Sequence, residues 1–207
     1  MANSSFLAEA ATWNKRFAGD DYVFGTEPNE YLREHATWPA GSRVLCVADG
    51  EGRNSVWLAR RGIEVEAFDI SDVGVEKARR LAAAASVAVA YSVCDCDDFA
   101  WPQDAYDGIA AIFVQFADPA MRARLFANMV RALKPGGTLV LQGYGPRQLE
   151  YKTGGPSLIE HLYTVEMLRD AFASTEIDEL RDYEADLKEG ARHSGRSALI
   201  RLVARKR

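Results

Sequence analysis

The stretch VLCVADGEGRNSVWLARRGIEVEAFDIS, residues 44–71, contains the pattern from which the rest of the chain can be interpreted. It begins with a short apolar run that predicts a buried strand, passes through Gly50 and Gly52, and continues into a helical pattern that ends at Gly62. A second strand pattern follows and ends at Asp69. A strand, a glycine turn, a helix and a second strand are typical of the first unit of a parallel α/β sheet.

The same alternation of apolar runs and amphipathic runs continues through the chain. Further strands are predicted at residues 87–93, 107–114 and 138–144, and helices at residues 71–85, 119–133 and 164–173. The last two strand patterns, residues 176–186 and 197–203, follow each other without a strong helix between them. We therefore predict a doubly wound, seven-stranded, mostly parallel Rossmann-like sheet with an antiparallel C-terminal hairpin.

Composition excludes several classes of protein. The chain has 207 residues, 48% hydrophobic residues, 27% charged residues and a formal net charge of −5. This acidic balance excludes a general nucleic-acid binder, and no apolar run reaches the length of a membrane span. The first five residues do not resemble a secretory signal, and three cysteines do not form a disulfide framework. We expect a cytoplasmic protein without nucleic-acid or membrane partners.

The domain organisation follows from the position of the first strand. Residues 1–40 carry two helical patterns separated by an aromatic loop, and we predict that they form an N-terminal lid. Residues 41–207 then form the ligand-binding domain. We expect a monomer or a homodimer.

Polar residues at the ends of the first two strands indicate the kind of ligand. Open sheets bind ligands at the carboxyl ends of their strands, where Asp69 can bind the hydroxyls of a ribose. A dinucleotide motif needs a third glycine, but Ser55 occupies that position. The carboxylates of Asp49 and Glu51 would repel a pyrophosphate. A cofactor that has a ribose and a positive charge, such as S-adenosylmethionine, fits better than a nicotinamide cofactor.

The stretch quoted above resembles motif I through motif II of the class I S-adenosylmethionine-dependent methyltransferases. The whole chain resembles a bacterial subgroup related to the tellurite-resistance and thiopurine methyltransferases. The other matching segments are Trp13 with residues 22–29, residues 95–99, residues 107–115 and residues 133–137.

The resemblance implies that most cofactor contacts come from strand ends. Gly50 and Gly52 would pass near the methionine part and the ribose, and Asp69 would bind the ribose hydroxyls. The adenine would contact Ile70, Asp95 and Cys96. The remaining implied contacts are Phe113 near the transferred methyl group, Tyr22 and Gly25 in a segment that closes over the cofactor, and Asn54 as a support of the loop.

The sequence departs from the common family pattern in the first strand. The family has an acid where Cys46 stands and a glycine where Ala48 stands. Here the acid follows as Asp49, which we expect to face the ammonium group of the cofactor. We include Ala48 and Asp49 among the cofactor-binding residues.

Three aromatic or imidazole side chains are candidates for the acceptor side of the site. Trp13 and Phe24 either pack within the lid or form a pocket wall that attracts a sulfonium. His193 lies in the predicted final hairpin, either as a plain turn residue or beside the acceptor. His161 is expected to be a surface or cap residue. Cys94 and Cys96 have no second pair, so we expect no metal site.

The resemblance implies an S-adenosylmethionine-dependent methyltransferase, and we expect it to act on a small molecule. No catalytic base stands out in the sequence, which favours a soft sulfur, selenium or tellurium nucleophile. The alternatives are a nicotinamide-dependent oxidoreductase of related topology and a non-catalytic S-adenosylmethionine-binding protein.

Overall fold

A computed structural model describes residues 4–190 and 193–207 of the chain. In these residues, seven strands form one sheet: β1 (Arg43–Val47), β2 (Glu64–Asp69), β3 (Ala90–Val93), β4 (Tyr106–Ile112), β5 (Leu133–Tyr144), β6 (Thr175–Glu189) and β7 (His193–Lys206). The strand order is β3-β2-β1-β4-β5-β7-β6. Strands β1 to β5 pair in parallel, whereas β7 is antiparallel to both β5 and β6. The predicted doubly wound sheet with a C-terminal hairpin is confirmed.

Two helices precede β1, and the other helices follow β1, β2, β4 and β5. They are α1 (Ser4–Phe17), α2 (Glu30–His35), α3 (Arg53–Arg60), α4 (Asp72–Ala84), α5 (Pro119–Ala132), α6 (Gln148–Tyr151) and α7 (Val165–Ala171). Ser71 caps the start of α4, since its hydroxyl accepts from the amide of Gly74 at 3.0 Å. Gly62 ends α3 with a φ of 78°.

Strand β1 shows why the core has two sides. Its apolar residues alternate between two clusters, because successive side chains of a strand point to opposite faces. Leu45 and Val47 pack with α5 and α7, whereas Val44 and Cys46 pack with α2 and α3. A strand that is buried on both faces needs an apolar run rather than a polar–apolar alternation, which is what residues 44–47 provide.

The two parts of the segment before β1 pack against different parts of the structure. Helix α1 packs against α4. Residues Tyr31, Leu32 and Trp38 are instead buried in the same cluster as Val44. The division of the chain at residue 40 stays a prediction, and residues 1–3 lie outside the described part.

One local expectation differs from the structure. The strand predicted at residues 138–144 is longer in the structure, where β5 begins at Leu133, directly after α5. Its first residues pair irregularly with β4 between Tyr106 and Gly108. Gly136 takes a φ of 79°, so the chain bends within the strand range rather than before it.

Candidate functional site

A cavity of about 440 Å³ lies at the carboxyl ends of β1, β2 and β4. The strand order reverses between β1 and β4, and open α/β sheets bind ligands at this position. Helix α1 and the loop at residues 154–158 complete the walls. The predicted site residues that line it are Trp13, Phe24, Ala48, Asp49, Gly50, Asn54, Asp69, Ile70, Asp95, Cys96, Phe113 and His193.

The loop after β1 turns sharply because three of its residues take left-handed conformations. The φ angles are 47° at Ala48, 60° at Gly50 and 91° at Gly52. A Cβ atom on Gly50 would lie 3.4 Å from the ring of Phe17 in α1. The loop therefore presents backbone to the cavity and lies directly beneath α1.

Asp69, the last residue of β2, ties this loop to the start of α4. Its Oδ2 accepts from the Gly50 amide at 2.8 Å, and its Oδ1 accepts from the Ser71 amide at 2.8 Å. Burial raises the pKa of Asp69 to about 6 even though these backbone hydrogen bonds act to lower it. The carboxyl is thus held rigidly at the cavity wall.

Asp49 has one oxygen paired and one unpaired. Its Oδ2 accepts from the Ser55 hydroxyl. Its Oδ1 is buried and has no hydrogen-bond partner among the described residues. Burial, and to a lesser degree the charge of Asp69, raises the pKa of Asp49 to about 7. A cation in the cavity would stabilise the ionised form of both carboxyls.

The turn after β3 supplies the third acid. Oδ1 of Asp95 accepts from the amides of Asp97 and Asp98 at 2.8 Å and 2.7 Å, which fixes the turn. The neighbouring Cys96 is buried, and this burial raises the pKa of its thiol. Within residues 4–190 and 193–207, no cluster of His, Cys, Asp and Glu could hold a metal ion.

Three predicted cofactor contacts lie outside the cavity. A Cβ on Gly52 would meet Ala78 of α4 at 2.7 Å, so this glycine serves close packing between α3 and α4. The Tyr22 hydroxyl donates to the Lys77 carbonyl at 3.2 Å. Gly25 packs near Gly190 in the turn of the final hairpin. These positions were assigned by resemblance, and their actual neighbours come from distant segments.

Glu51 also differs from the expectation that it faces the cofactor. Its side chain is buried, forms an ion pair with Lys77 at 2.5 Å and accepts from the Val23 amide at 2.7 Å. Its charge is therefore neutralised on the far side of the loop. Of the two acids expected to repel a pyrophosphate, only Asp49 lines the cavity.

The start of α3 connects the N-terminal segment with the final hairpin. The Asn54 side chain accepts from the buried Asn29 amide at 2.9 Å. The Arg53 guanidinium lies 2.8 Å from Oε2 of Glu189, and both side chains are buried. Arg53 lines the cavity but carries no sequence motif, so it was missed.

Aromatic rings and an imidazole lie close together in another part of the cavity lining, which we call the aromatic wall. The ring of His193 lies 4.5 Å from the Phe24 ring and 4.3 Å from the Phe113 ring, measured between centroids. The buried Tyr144 ring lies 4.8 Å from that of Phe113. Sequence reasoning placed Phe24, Phe113 and His193 at the site, but it missed Tyr144, which reads as an ordinary strand residue.

His161 and Gln115 were also missed. His161 was expected to be a surface or cap residue, yet it lines the cavity, and its Nδ1 lies 3.1 Å from the Gln115 carbonyl oxygen. The Gln115 amide donates to the carbonyls of Tyr144 and His161 at 2.9 Å and 3.0 Å. These contacts join the end of β4 to β5 and to the loop before α7, a proximity that has no local sequence signal.

The described residues contain no helix that is long and apolar enough to cross a membrane.

Comparison with known proteins identifies the domain around this cavity. Residues 44–137 match the family model described as a methyltransferase domain. The chain is 38% identical over 108 residues to the S-adenosyl-L-methionine-dependent Diels-Alderase iccD of Talaromyces variabilis, covering 50% of this chain and 36% of that protein. It is 28% identical over 137 residues to the ubiquinone/menaquinone biosynthesis C-methyltransferase UbiE of Geobacter sulfurreducens, covering 64% of this chain and 50% of that protein.

The fold is also shared with TehB from Haemophilus influenzae. The TM-score is 0.71 at 16% identity, covering 96% of this chain and 67% of that chain. The chain spans half or less of the length of the two curated relatives described above. Residues 44–137 thus match a methyltransferase domain, and the relatives and the sheet order are similar to those of the class I S-adenosylmethionine-dependent methyltransferases.

Proposed function

We propose that the chain catalyses S-adenosylmethionine-dependent methyl transfer to a small-molecule acceptor with a soft sulfur, selenium or tellurium nucleophile. One observation carries this proposal: Asp49, Asp69 and Asp95 stand at the ends of three neighbouring strands and line one cavity. A row of carboxyls complements a ligand with a cationic group, ribose hydroxyls and an adenine amino group. Phosphate groups in the same place would be repelled.

The residues present fit that cofactor. The unpaired Oδ1 of Asp49 is suited to a cationic group, because the atom is buried and lacks a partner in the described part of the chain. Each oxygen of Asp69 accepts one backbone hydrogen bond and keeps a further lone pair for a ribose hydroxyl. When bound, S-adenosylmethionine supplies a methyl group on a positively charged sulfur.

The chain itself contributes positioning and the exclusion of water. Trp13 and Phe17 of α1 cover the loop after β1, and their rings stack at 5.6 Å. Trp13, Phe24 and Phe113 present aromatic faces to the cavity, which favour a cationic sulfur over a neutral one. Alignment of the nucleophile with the methyl group in a covered cavity is the main source of rate enhancement for such a displacement.

The burial of His193 at the wall supports an acceptor that needs no base. Burial lowers the pKa of His193 to about 3, so this ring is a poor proton acceptor near neutral pH. Thiolates and heavier chalcogenides attack carbon without loss of a proton, whereas neutral alcohols and protonated amines need a base.

We also propose that the protein acts in the cytoplasm, as a monomer or homodimer, on small molecules rather than on nucleic acid or membranes. The second candidate function is binding of S-adenosylmethionine without methyl transfer. It is kept because one relative, the Diels-Alderase, is named for a different reaction.

Two measurements test the proposed function. Titration calorimetry should show binding of S-adenosylhomocysteine and no binding of NADH. Mass spectrometry should then detect methylated product from thiol, selenol or telluride acceptors. Binding of NADH alone would favour the oxidoreductase. Binding of S-adenosylhomocysteine without turnover over the panel would favour the non-catalytic alternative, and turnover with amines or alcohols alone would exclude the soft nucleophile.

A further inference from the structure

Tyr144 and His193 form one corner of the cavity, at its aromatic wall. Their ring centroids lie 5.7 Å apart at nearly perpendicular planes. Tyr144 ends β5 and His193 begins β7, while Phe24 and Phe113 come from the N-terminal segment and the end of β4. Four parts of the chain thus converge on a single small region.

Each of these two side chains has a polar atom without a partner. The Tyr144 hydroxyl and the Nδ1 atom of His193 are buried, and neither makes a hydrogen bond with any described residue. Tyr144 is 1% exposed and His193 is 8% exposed. Buried polar atoms in native proteins are almost always paired, so two of them at one cavity corner indicate a ligand that completes their hydrogen bonds.

Burial, with smaller contributions from nearby charges, determines the protonation states at this corner. Arg53 from α3 and Arg16 from α1 add to the effect of burial in lowering the pKa of His193. Burial is also the main cause that raises the pKa of the Tyr144 phenol, with a further contribution from Glu189 of β6. Both groups are therefore neutral at physiological pH, and both can donate a hydrogen bond.

We infer that the Tyr144 hydroxyl and the His193 imidazole donate hydrogen bonds to an anionic nucleophile of the acceptor, a thiolate or heavier chalcogenide attached to a flat apolar group. This inference rests on the proposed methyl transfer and names its substrate class. The flat group is expected because the rings of Phe24 and Phe113 both lie against the His193 ring and line the cavity.

The reaction balances without a base. The thiolate sulfur forms a bond to the methyl carbon, while the bond between that carbon and the sulfonium sulfur breaks. The electron pair of the broken bond stays with the departing sulfur, which becomes neutral, and no proton moves. Tyr144 and His193 hold the thiolate in line and remain unchanged in protonation.

A coloured thiolate gives a test that does not depend on turnover. 4-Nitrothiophenolate is titrated into the protein saturated with S-adenosylhomocysteine, and binding is followed by the thiolate absorption band. The neutral thioether 4-nitrothioanisole serves as the matched ligand. We expect the wild-type protein to bind the thiolate at least about tenfold more tightly than the thioether, since hydrogen bonds to charged groups are the stronger kind.

Variants assign that preference to the two residues. Tyr144→Phe and His193→Leu should each reduce thiolate affinity about tenfold or more and leave thioether affinity within about twofold. His193→Gln keeps a neutral donor and should retain most of the preference. Tyr151→Phe, in α6 outside the cavity, is the control and should match wild type. Thermal unfolding of each variant checks that the fold is kept.

The outcomes separate this inference from the proposed function. Equal binding of thiolate and thioether by the wild-type protein overturns the inference, as does an unchanged preference in both Tyr144→Phe and His193→Leu. A clear thiolate preference without methylated product supports the binding corner but overturns the methyl transfer.

The pH dependence of turnover gives a second test. If thiols of different acidity are methylated, kcat/KM should rise with pH up to the pKa of each thiol. A single inflection shared by all thiols would contradict the inference.

Discussion

The Lys77 ammonium nitrogen lies 2.5 Å from Oε1 of Glu51, and both side chains are only 2% exposed. The same nitrogen donates to the carbonyls of Phe17 at 3.3 Å, Gly19 at 2.9 Å and Asp21 at 2.6 Å. Lys77 in α4 therefore joins the end of α1 and the following segment to the loop after β1. This buried pair therefore fixes the position of α1 relative to the loop after β1.

Loss of Lys77 should destabilise the fold strongly. Lys77→Met leaves the Glu51 carboxylate buried without its counter-ion, which typically costs about 3–5 kcal/mol. Urea unfolding measures the change, and Lys15→Met on the exposed face of α1 is the control. The double variant Lys77→Met with Glu51→Leu should be less destabilised than Lys77→Met alone, because both charges are gone. A loss below about 1 kcal/mol for Lys77→Met would show that the pair is not a structural clamp.

Gly52 and Gly136 give a matched test of packing against backbone strain. Both have left-handed φ angles, 91° and 79°. A Cβ at Gly52 would lie 2.7 Å from Cβ of Ala78, whereas a Cβ at Gly136 would meet nothing within 4 Å. Gly136→Ala should cost about 1–2 kcal/mol for the φ angle alone. Gly52→Ala should cost clearly more in the same urea experiment; equal losses would mean that α4 moves aside freely.

Asp69→Asn should weaken cofactor binding. The substitution removes the charge and one acceptor while it keeps the size of the side chain. Loss of a hydrogen bond to a charged group corresponds to about 1.5–3 kcal/mol, or roughly 10- to 100-fold in affinity for S-adenosylhomocysteine. Calorimetry measures the affinity, and Asp72→Asn, an exposed position in α4, is the control. If both variants bind like wild type, Asp69 is not a cofactor contact.

Cofactor affinity should increase with pH. Burial raises the pKa of Asp49 to about 7 and that of Asp69 to about 6, both above the unfolded value of 3.8. In the free folded protein, these groups therefore favour stability below pH 4 and lose that contribution as pH rises through 6 and 7. Binding of a cationic ligand favours the ionised carboxyls, so it should release protons between pH 5 and 7.

Calorimetry in buffers of different ionisation enthalpy detects that release. S-Adenosylmethionine affinity should rise by up to about tenfold per pH unit for each carboxyl below its pKa. Asp49→Asn should remove the part of the pH dependence centred near 7. A pH-independent affinity from 5 to 8 would contradict this assignment.

Local sequence patterns predicted most of the strands of the sheet and the acids at the strand ends. Residues 44–47 are apolar without alternation, which requires a strand buried on both faces. Asp69 follows the next strand, so its place at the carboxyl edge could be predicted from parallel pairing alone. These features depend on residues within about one strand–helix–strand unit, whose geometry is fixed by periodicity.

Contacts between distant segments could not be predicted in this way. Glu51 was expected to face the cofactor, but its direction is set by Lys77, 26 positions further along the chain. Gly52 was interpreted as a ligand contact, whereas its small size is required by Ala78. A pattern identifies which face of an element is buried, but not which distant side chain lies against it.

The sequence by itself determined the α/β class, the alternation of strands and helices in a mostly parallel sheet, and the position of three acids at the strand ends. Only the tertiary structure decided that Glu51 turns away from the cavity and that Tyr144 and His193 meet at its aromatic wall. The physical reason is the distance along the chain over which each interaction acts. Strand and helix patterns express local hydrogen bonding and burial, whereas the environment of a polar side chain depends on the packing of segments far apart in the chain.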